Sequence, residues 1–164
     1  MASGNTLLVL LPQQHIPPSS NYATLDLRNQ HPVLDFDKAT IESALFEDVM
    51  PRAYAGGGIT CRICFSATTV TTGDVVWGIS LERHQDETGD LDSDDFAAER
   101  TVTATVPGTS GMVQYAEIAF TEGAQMDSIA LGEHFRLKIR RVATDAADTA
   151  DNDAELWSIE VRET

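Results

Sequence analysis

Apolar and polar residues alternate along most of this chain with a period of two, which is the pattern of β-strands that bury one face. Every second residue is apolar through segment 59–67, and segments 74–83, 100–107 and 112–121 repeat the pattern. Shorter alternating segments, with turn residues between them, bring the expected number of strands to between eight and ten. The pattern predicts an all-β fold, an antiparallel jelly-roll-like β-sandwich.

Turn signals between the alternating segments predict which strands are neighbours. "YATLDLRN" and "PVLDFD" are expected to form a hairpin through "NQH", and segment 59–67 is expected to turn through "TTVTTG" into segment 74–83. The last two strands, 134–143 and 155–162, are predicted to close the fold as a third hairpin. We divide the chain into an N-terminal strand and extended arm, residues 1–21, and a β-sandwich domain, residues 22–164.

The N-terminal segment combines a short apolar strand with an irregular stretch around Pro17 and Pro18. Leu7, Val9 and Ile16 are candidate partner-contact residues, because an extended arm can add to the edge of a partner's sheet. The alternative is an ordinary first strand of the sandwich followed by a loop.

A basic stripe, which we define as Arg136, Lys138 and Arg140, lies on the polar face of the strand that begins at His134. In a closing hairpin that aligns Ile139 with Ile159, Lys138 would lie beside a glutamate. One hypothesis is a solvated outer face. The other is a contact surface for an acidic neighbouring subunit, so these three residues join the candidate partner contacts.

Exposed aromatic residues would indicate a surface on which sugar rings can stack. The alternation assigns Trp77 and Trp157 to the core, whereas Tyr22, Tyr54 and Tyr115 are the better candidates for exposure. Carbohydrate-binding surfaces display several aromatic rings together, and the sequence shows no dense set of them.

Charge excludes some classes of partner. Eleven basic residues against 26 acidic residues give a net charge of −15, a field that repels phosphate backbones and anionic membranes. We therefore expect neither nucleic acid nor membrane as a partner. No apolar segment approaches the ~20 residues that span a bilayer, and no signal peptide is evident, which predicts cytoplasmic synthesis without export.

The remaining chemistry is sparse. Cys61 and Cys64 have the spacing of a metal or redox motif, but residues three apart on a strand point to opposite faces, so two reduced structural cysteines are expected. The acidic loops "DLDSDD" and "DAADTADND" depart from the calcium-loop pattern, and solvated acidic tips are the simpler interpretation. No nucleophile, phosphate-loop or dinucleotide motif occurs, so we predict no catalytic residue, no cofactor, no metal and no enzymatic activity.

Several sequence blocks, among them "SNYATLDLRNQHPVLDFD", "RAYAGGGITCRI", "TTGDVVWGISLER" and "DAELWSIEVRET", resemble small virion proteins of tailed, cyanophage-like bacteriophages. These proteins are similar to capsid cement or head-decoration proteins. The resemblance implies a structural role: a homotrimer that binds the major capsid protein and stabilises the assembled shell. The implied location is the capsid surface of a virion assembled in the host cytoplasm. The alternative is a receptor- or carbohydrate-binding β-sandwich module of a tail fibre.

Overall fold

Residues 4–164, which the computed structural model describes, form ten β-strands in two antiparallel sheets that pack face to face. The predicted all-β sandwich is therefore confirmed. In chain order the strands are β1 Thr6–Leu10, β2 Thr24–Arg28, β3 His31–Phe36, β4 Glu42–Val49, β5 Ile59–Ala67, β6 Asp74–His84, β7 Arg100–Thr105, β8 Gln114–Phe120, β9 His134–Arg141 and β10 Ala154–Glu163. Two short 3₁₀ turns, Pro12–Gln14 and Ala124–Met126, interrupt the connections.

The last strand organises the six-stranded sheet. β5 lies along one side of β10, while β3 and β1 share its other side, β3 beside residues 154–156 and β1 beside residues 159–162. β2 and β8 complete this sheet at its two ends. The four-stranded sheet has the order β4-β9-β6-β7.

The core lies between the two sheets and follows the alternation in the sequence. On β6, Val75, Trp77, Ile79 and Leu81 are all buried, as predicted. The Trp77 ring meets the edges of two phenylalanines from the facing sheet, with centroid distances of 5.1 Å to Phe36 and 5.7 Å to Phe65. No helix within residues 4–164 has the length and apolar character to span a bilayer.

The first predicted hairpin is correct. β2 and β3 pair in register from Thr24–Asp35 to Arg28–His31, and the two-residue turn between them is Asn29-Gln30. Both turn residues have positive φ, 47° and 69°. This conformation matches the right-handed twist of paired strands.

The other two predicted hairpins are wrong. β5 lies in the six-stranded sheet and β6 in the four-stranded sheet, and the same separation holds for β9 and β10. The intervening loops therefore cross from one sheet to the other. The proposed alignment of Ile139 with Ile159 does not exist, because Ile139 pairs with Ala44 and Ile79.

The N-terminal segment contributes strand pairing to both sheets. β1 pairs with β10, and its Leu10 is buried in the core. Farther along, the Ile16 backbone exchanges two hydrogen bonds with Leu45 of β4, at 2.7 and 3.0 Å. This segment therefore covers the free edge of the four-stranded sheet, an edge that would otherwise expose unpaired backbone groups.

Both cysteines are free and buried, and Cys61 belongs to the core between the sheets. Burial raises the pKa of Cys61 to about 12 and also raises the pKa of Cys64. Because thiolate is the reactive form, we expect iodoacetamide at pH 8 to label neither thiol in the native protein and both in urea. Rapid labelling of native Cys61, measured by mass spectrometry, would contradict its place in the core.

Candidate functional site

The basic stripe lies against an acidic segment of its own chain. Residues 94–99 fold back over the outer face of the four-stranded sheet, where Arg136 binds Glu82 and Asp94, and Arg140 donates to Glu99 at 2.7 Å. Lys138 lies over the Phe96 ring at 4.4 Å. Glu99 approaches so closely that a Cβ at Gly78 would lie 2.6 Å from its carboxyl group. Contact between this stripe and a neighbouring subunit stays a prediction.

The N-terminal candidate residues divide by exposure. Leu7 is partly buried and packs against the core, whereas Val9 and Ile16 are 46% and 41% exposed. Val9 points outward opposite Glu160 of β10. The structure therefore leaves Val9 and Ile16 accessible and uses Leu7 in the fold, and a role in partner binding stays a prediction for all three.

The aromatic predictions were partly wrong. Tyr22 and Tyr115 are exposed, at 50% and 47%, but Tyr54 is buried and its hydroxyl donates to the Gly57 carbonyl. Trp157 is half-buried on the outer face of the six-stranded sheet instead of in the core. The cause is a β-bulge between Leu156 and Ser158, which inserts Trp157 as an unpaired residue and reverses the alternation after it.

The outer face beside Trp157 holds a compact polar network. The indole Nε1 donates to Ser66 Oγ at 2.7 Å, and the Ser66 hydroxyl donates to Glu155 at 2.6 Å. Arg28 also binds Glu155. Asp35 lies next to Glu155 in register, and its Oδ1 is buried without a hydrogen-bond partner among residues 4–164.

Tyr115 does not offer an open stacking surface. The Arg62 guanidinium carbon lies 3.7 Å from the ring centroid, so one face of the ring is already covered. Neighbouring side chains on this sheet face pair with one another as Arg62–Glu117, Arg62–Glu160 and Arg162–Glu117. Most charged side chains on this part of the outer face therefore pair with one another.

Two aspartates of the acidic loop between β9 and β10 pair with basic side chains. Asp148 binds the buried Arg141 at 2.7 Å, and Asp151 binds Lys38 at 2.5 Å. Within residues 4–164, no group of three or more histidine, cysteine, aspartate or glutamate side chains is placed to hold a metal ion.

A cleft opens where two long connections meet at one end of the sandwich. The β6–β7 connection, residues 85–99, forms one wall, and the β8–β9 connection, residues 121–133, forms the other. The cleft has a cavity volume of about 250 Å³, slightly below the usual range for drug-sized ligands. We call it the loop-end cleft, and its lining residues are Arg83, Gln85, Thr88, Gly89, Asp95, Asp127 and Ser128.

Hydrogen bonds fix the walls of the loop-end cleft. Arg83 Nε and Nη2 donate to the two carboxylate oxygens of Glu133 at 2.6 and 2.7 Å, and the Arg83 backbone N–H donates to Asp127 at 2.8 Å. The backbone N–H of Asp95 donates to Glu82 at 2.7 Å. The bidentate pair with Arg83 lowers the pKa of Glu133, so this carboxylate stays ionised.

Left-handed backbone conformations occur in both connections that form the cleft. Asp127 and Ser128 are consecutive left-handed residues with φ of 51° and 56°, and Glu87 in the opposite wall has φ of 59°. Such conformations in non-glycine residues cost of the order of 1–3 kcal/mol each and often occur at binding sites. The lining side chains therefore occupy positions that the surrounding fold holds in place.

The chemistry of the cleft suits a polar ligand. Every lining side chain except that of Gly89 can form hydrogen bonds, and the set combines donors, acceptors and groups that do both. Most small-molecule pockets are instead largely apolar. A small ligand that carries several hydroxyl groups, each a donor and an acceptor, would match this lining.

Sequence reasoning did not identify this site. Segment 85–98 is recognisable as an acidic loop, and segment 122–133 as a connector, but nothing local indicates that they meet. The acidic and polar composition of segment 85–98 was the available signal.

No protein-family model matches the chain, and no curated protein matches it. Solved structures share its fold. A family 35 carbohydrate-binding module from an environmental isolate aligns with a TM-score of 0.56 at 14% identity, over 94% of this chain and 91% of that one.

Two further similar structures contain sugars. A carbohydrate-binding module from Cellvibrio mixtus lichenase 5A, in complex with cellotriose, aligns with a TM-score of 0.51 at 9% identity, over 98% of this chain and 99% of that one. A family 35 module in complex with a glucuronic acid containing disaccharide aligns with a TM-score of 0.50 at 15% identity, over 94% and 91% of the two chains. At identities of 9–15%, the similarity shows that this chain shares the fold of these structures.

Proposed function

We propose that this protein is a carbohydrate-binding β-sandwich module and that its ligand binds in the loop-end cleft. The observation that carries the proposal is the cleft itself: a small cavity lined by hydrogen-bonding side chains, on a fold that the chain shares with solved carbohydrate-binding modules. Sugars expose hydroxyl groups around their whole rim. A lining of hydroxyls, an amide, carboxylates and a guanidinium can satisfy them from several directions.

The volume of the cleft limits what part of a glycan it accepts. A cavity of about 250 Å³ suits one sugar residue better than a long chain segment. With few contacts and no apolar floor, a single sugar ring is expected to bind weakly, with a Kd between about 1 mM and about 1 μM. This corresponds to a binding free energy of about −4 to −8 kcal/mol. Several copies on one glycan surface would strengthen attachment.

The first test is a binding measurement with cello- and xylo-oligosaccharides and a panel of other glycans, followed by isothermal titration calorimetry of any ligand found. In the double variant Gln85→Ala/Thr88→Ala, we expect affinity to fall about tenfold to a hundredfold. The reason is that two hydrogen bonds contribute roughly 0.5–1.5 kcal/mol each. Both side chains are exposed, so the variant should keep its melting temperature.

The matched control is Tyr115→Ala on the outer face of β8. If the ligand binds in the loop-end cleft, this variant binds as well as the wild type. Loss of binding in Tyr115→Ala with full binding in Gln85→Ala/Thr88→Ala would place the ligand on the six-stranded sheet and overturn the proposed site. Absence of binding across the panel would count against the function itself.

The capsid-decoration hypothesis stays a prediction, as do the homotrimer, the virion location and the absence of enzymatic activity. The solved structures favour carbohydrate binding, which was the alternative to it. A co-sedimentation experiment tests the hypothesis directly: this protein is mixed with capsids that lack a decoration protein, the capsids are pelleted, and the copies bound per capsid are counted.

A further inference from the structure

The charge distribution around the loop-end cleft restricts which sugars it can hold, an argument that rests on the proposed carbohydrate-binding function. Arg83 supplies the one guanidinium among the lining residues, and it is bound bidentately by Glu133. Two further carboxylates, Asp95 and Asp127, line the cleft. One positive charge therefore faces three negative charges.

Neighbouring residues add to the negative field. Asp86, Asp90 and Asp92 are exposed in the same connection as Gln85 and Thr88. The nearby Arg136 does not offset them, because Glu82 and Asp94 bind it. A carboxylate ligand would have to compete with Glu133 for Arg83 while it approached Asp95 and Asp127.

We propose that the loop-end cleft selects non-acidic sugars and rejects uronic acids. A neutral sugar hydroxyl can donate to Asp95 or Asp127 and accept from Arg83, so both signs of lining group contribute to its binding. A sugar carboxylate has no hydrogen to donate, and it is repelled by the surrounding charge. One solved structure of the same fold contains a glucuronic acid disaccharide and another contains cellotriose, so the fold alone does not decide this preference.

The test uses pairs of methyl glycosides that differ only at C6: glucoside with glucuronide, and galactoside with galacturonide. Binding is measured by saturation-transfer NMR and titration at 20 mM NaCl. Whichever neutral sugar binds, we expect its uronide to bind at least tenfold more weakly. At 0.5 M NaCl the ratio should narrow, since salt shortens the range of the repulsion.

Two charge-matched variants locate the effect. Asp95→Asn removes a carboxylate from the cleft, and we expect the ratio between neutral and acidic sugar to narrow severalfold. Asp145→Asn removes the same charge from the β9–β10 loop, where the neighbouring Val142 bonds to Val76 near the other end of β6. In this control we expect the ratio to stay as in the wild type.

The outcomes separate the two proposals. If a uronide binds as tightly as its neutral partner, the charge selection is wrong while the proposed function stands. Equal effects of Asp95→Asn and Asp145→Asn would also overturn the selection, because the repulsion would then come from the whole protein. If neither member of any pair binds, and the oligosaccharide panel is also negative, the proposed function fails and the inference with it.

Discussion

Replacing Asp148 with alanine is expected to lower the free energy of unfolding by about 3–5 kcal/mol, because it leaves a buried guanidinium without its counter-ion. Arg141 is fully buried at the end of β9, and the Asp148 side chain is 1% exposed. Their two hydrogen bonds measure 2.7 and 3.0 Å. Arg141 also donates to the carbonyl groups of Asn152 and Ala150. The pair therefore anchors the loop that crosses between the two sheets.

Urea unfolding monitored by tryptophan fluorescence measures this effect. Asp145→Ala is the matched control: it removes an exposed carboxylate of the same loop, whose contact is a turn hydrogen bond to Ala147, and a loss below about 1 kcal/mol is expected. The double variant Arg141→Met/Asp148→Leu should recover only part of the stability lost in Asp148→Ala: no unpaired charge stays buried, but the backbone groups that the pair had bonded lose their partners. An Asp148→Ala protein as stable as Asp145→Ala would contradict the role assigned to the pair.

The second large effect concerns pH. The pKa of Asp35 is raised from 3.8 to about 7, first by burial and then by the charges of Glu155, Asp26 and Asp153. Between pH 4 and pH 7 the native state therefore holds a proton that the unfolded chain has released. The contribution of Asp35 to stability accordingly falls as pH rises through this window and is constant above about pH 8.

The variant Asp35→Asn keeps the neutral form at every pH. We expect it to match the wild type near pH 4 and to exceed it by roughly 2 kcal/mol at pH 8, a figure that allows for solvent reaching this half-buried carboxyl. The measurement is urea unfolding of both proteins at pH 4, 5, 6, 7 and 8, compared as a difference so that other titrating groups cancel. Asp26→Asn, which removes one of the neighbouring charges, gives a second comparison in the same pH series.

The Asp26 charge is one of the causes of the raised pKa of Asp35. Removing the Asp26 charge lowers the pKa of Asp35, so the native state releases its proton at a lower pH and the total loss of stability is smaller. In Asp26→Asn the stability therefore stops falling at a lower pH, and the total fall is smaller than in the wild type. If the free energy of unfolding differs between the wild type and Asp35→Asn by the same amount at pH 4 and at pH 8, the raised pKa of Asp35 is contradicted.

The loop-end cleft shows how far local sequence can lead to a site. Arg83 lies near the end of β6 and Gln85 directly follows that strand, whereas Asp127 and Ser128 belong to a connector more than 40 positions later. Each segment is recognisable as a connection between strands, but their proximity depends on how β6 and β9 pair in the four-stranded sheet. Of the three tyrosines that the local pattern predicted to be exposed, Tyr54 is buried, and Arg62 covers one face of the Tyr115 ring.

The sequence by itself determined the strands and their buried faces, because side-chain direction alternates with every residue. A strand that buries one face therefore has an apolar residue at every second position. It also specified the β2–β3 hairpin, where a two-residue turn joins adjacent strands. Only the tertiary structure decided that β5 and β6, and β9 and β10, belong to different sheets, since a strand has the same alternation whichever neighbour it pairs with. The bulge at Trp157 was equally invisible, because one extra residue changes the face of a side chain without changing the composition of the strand.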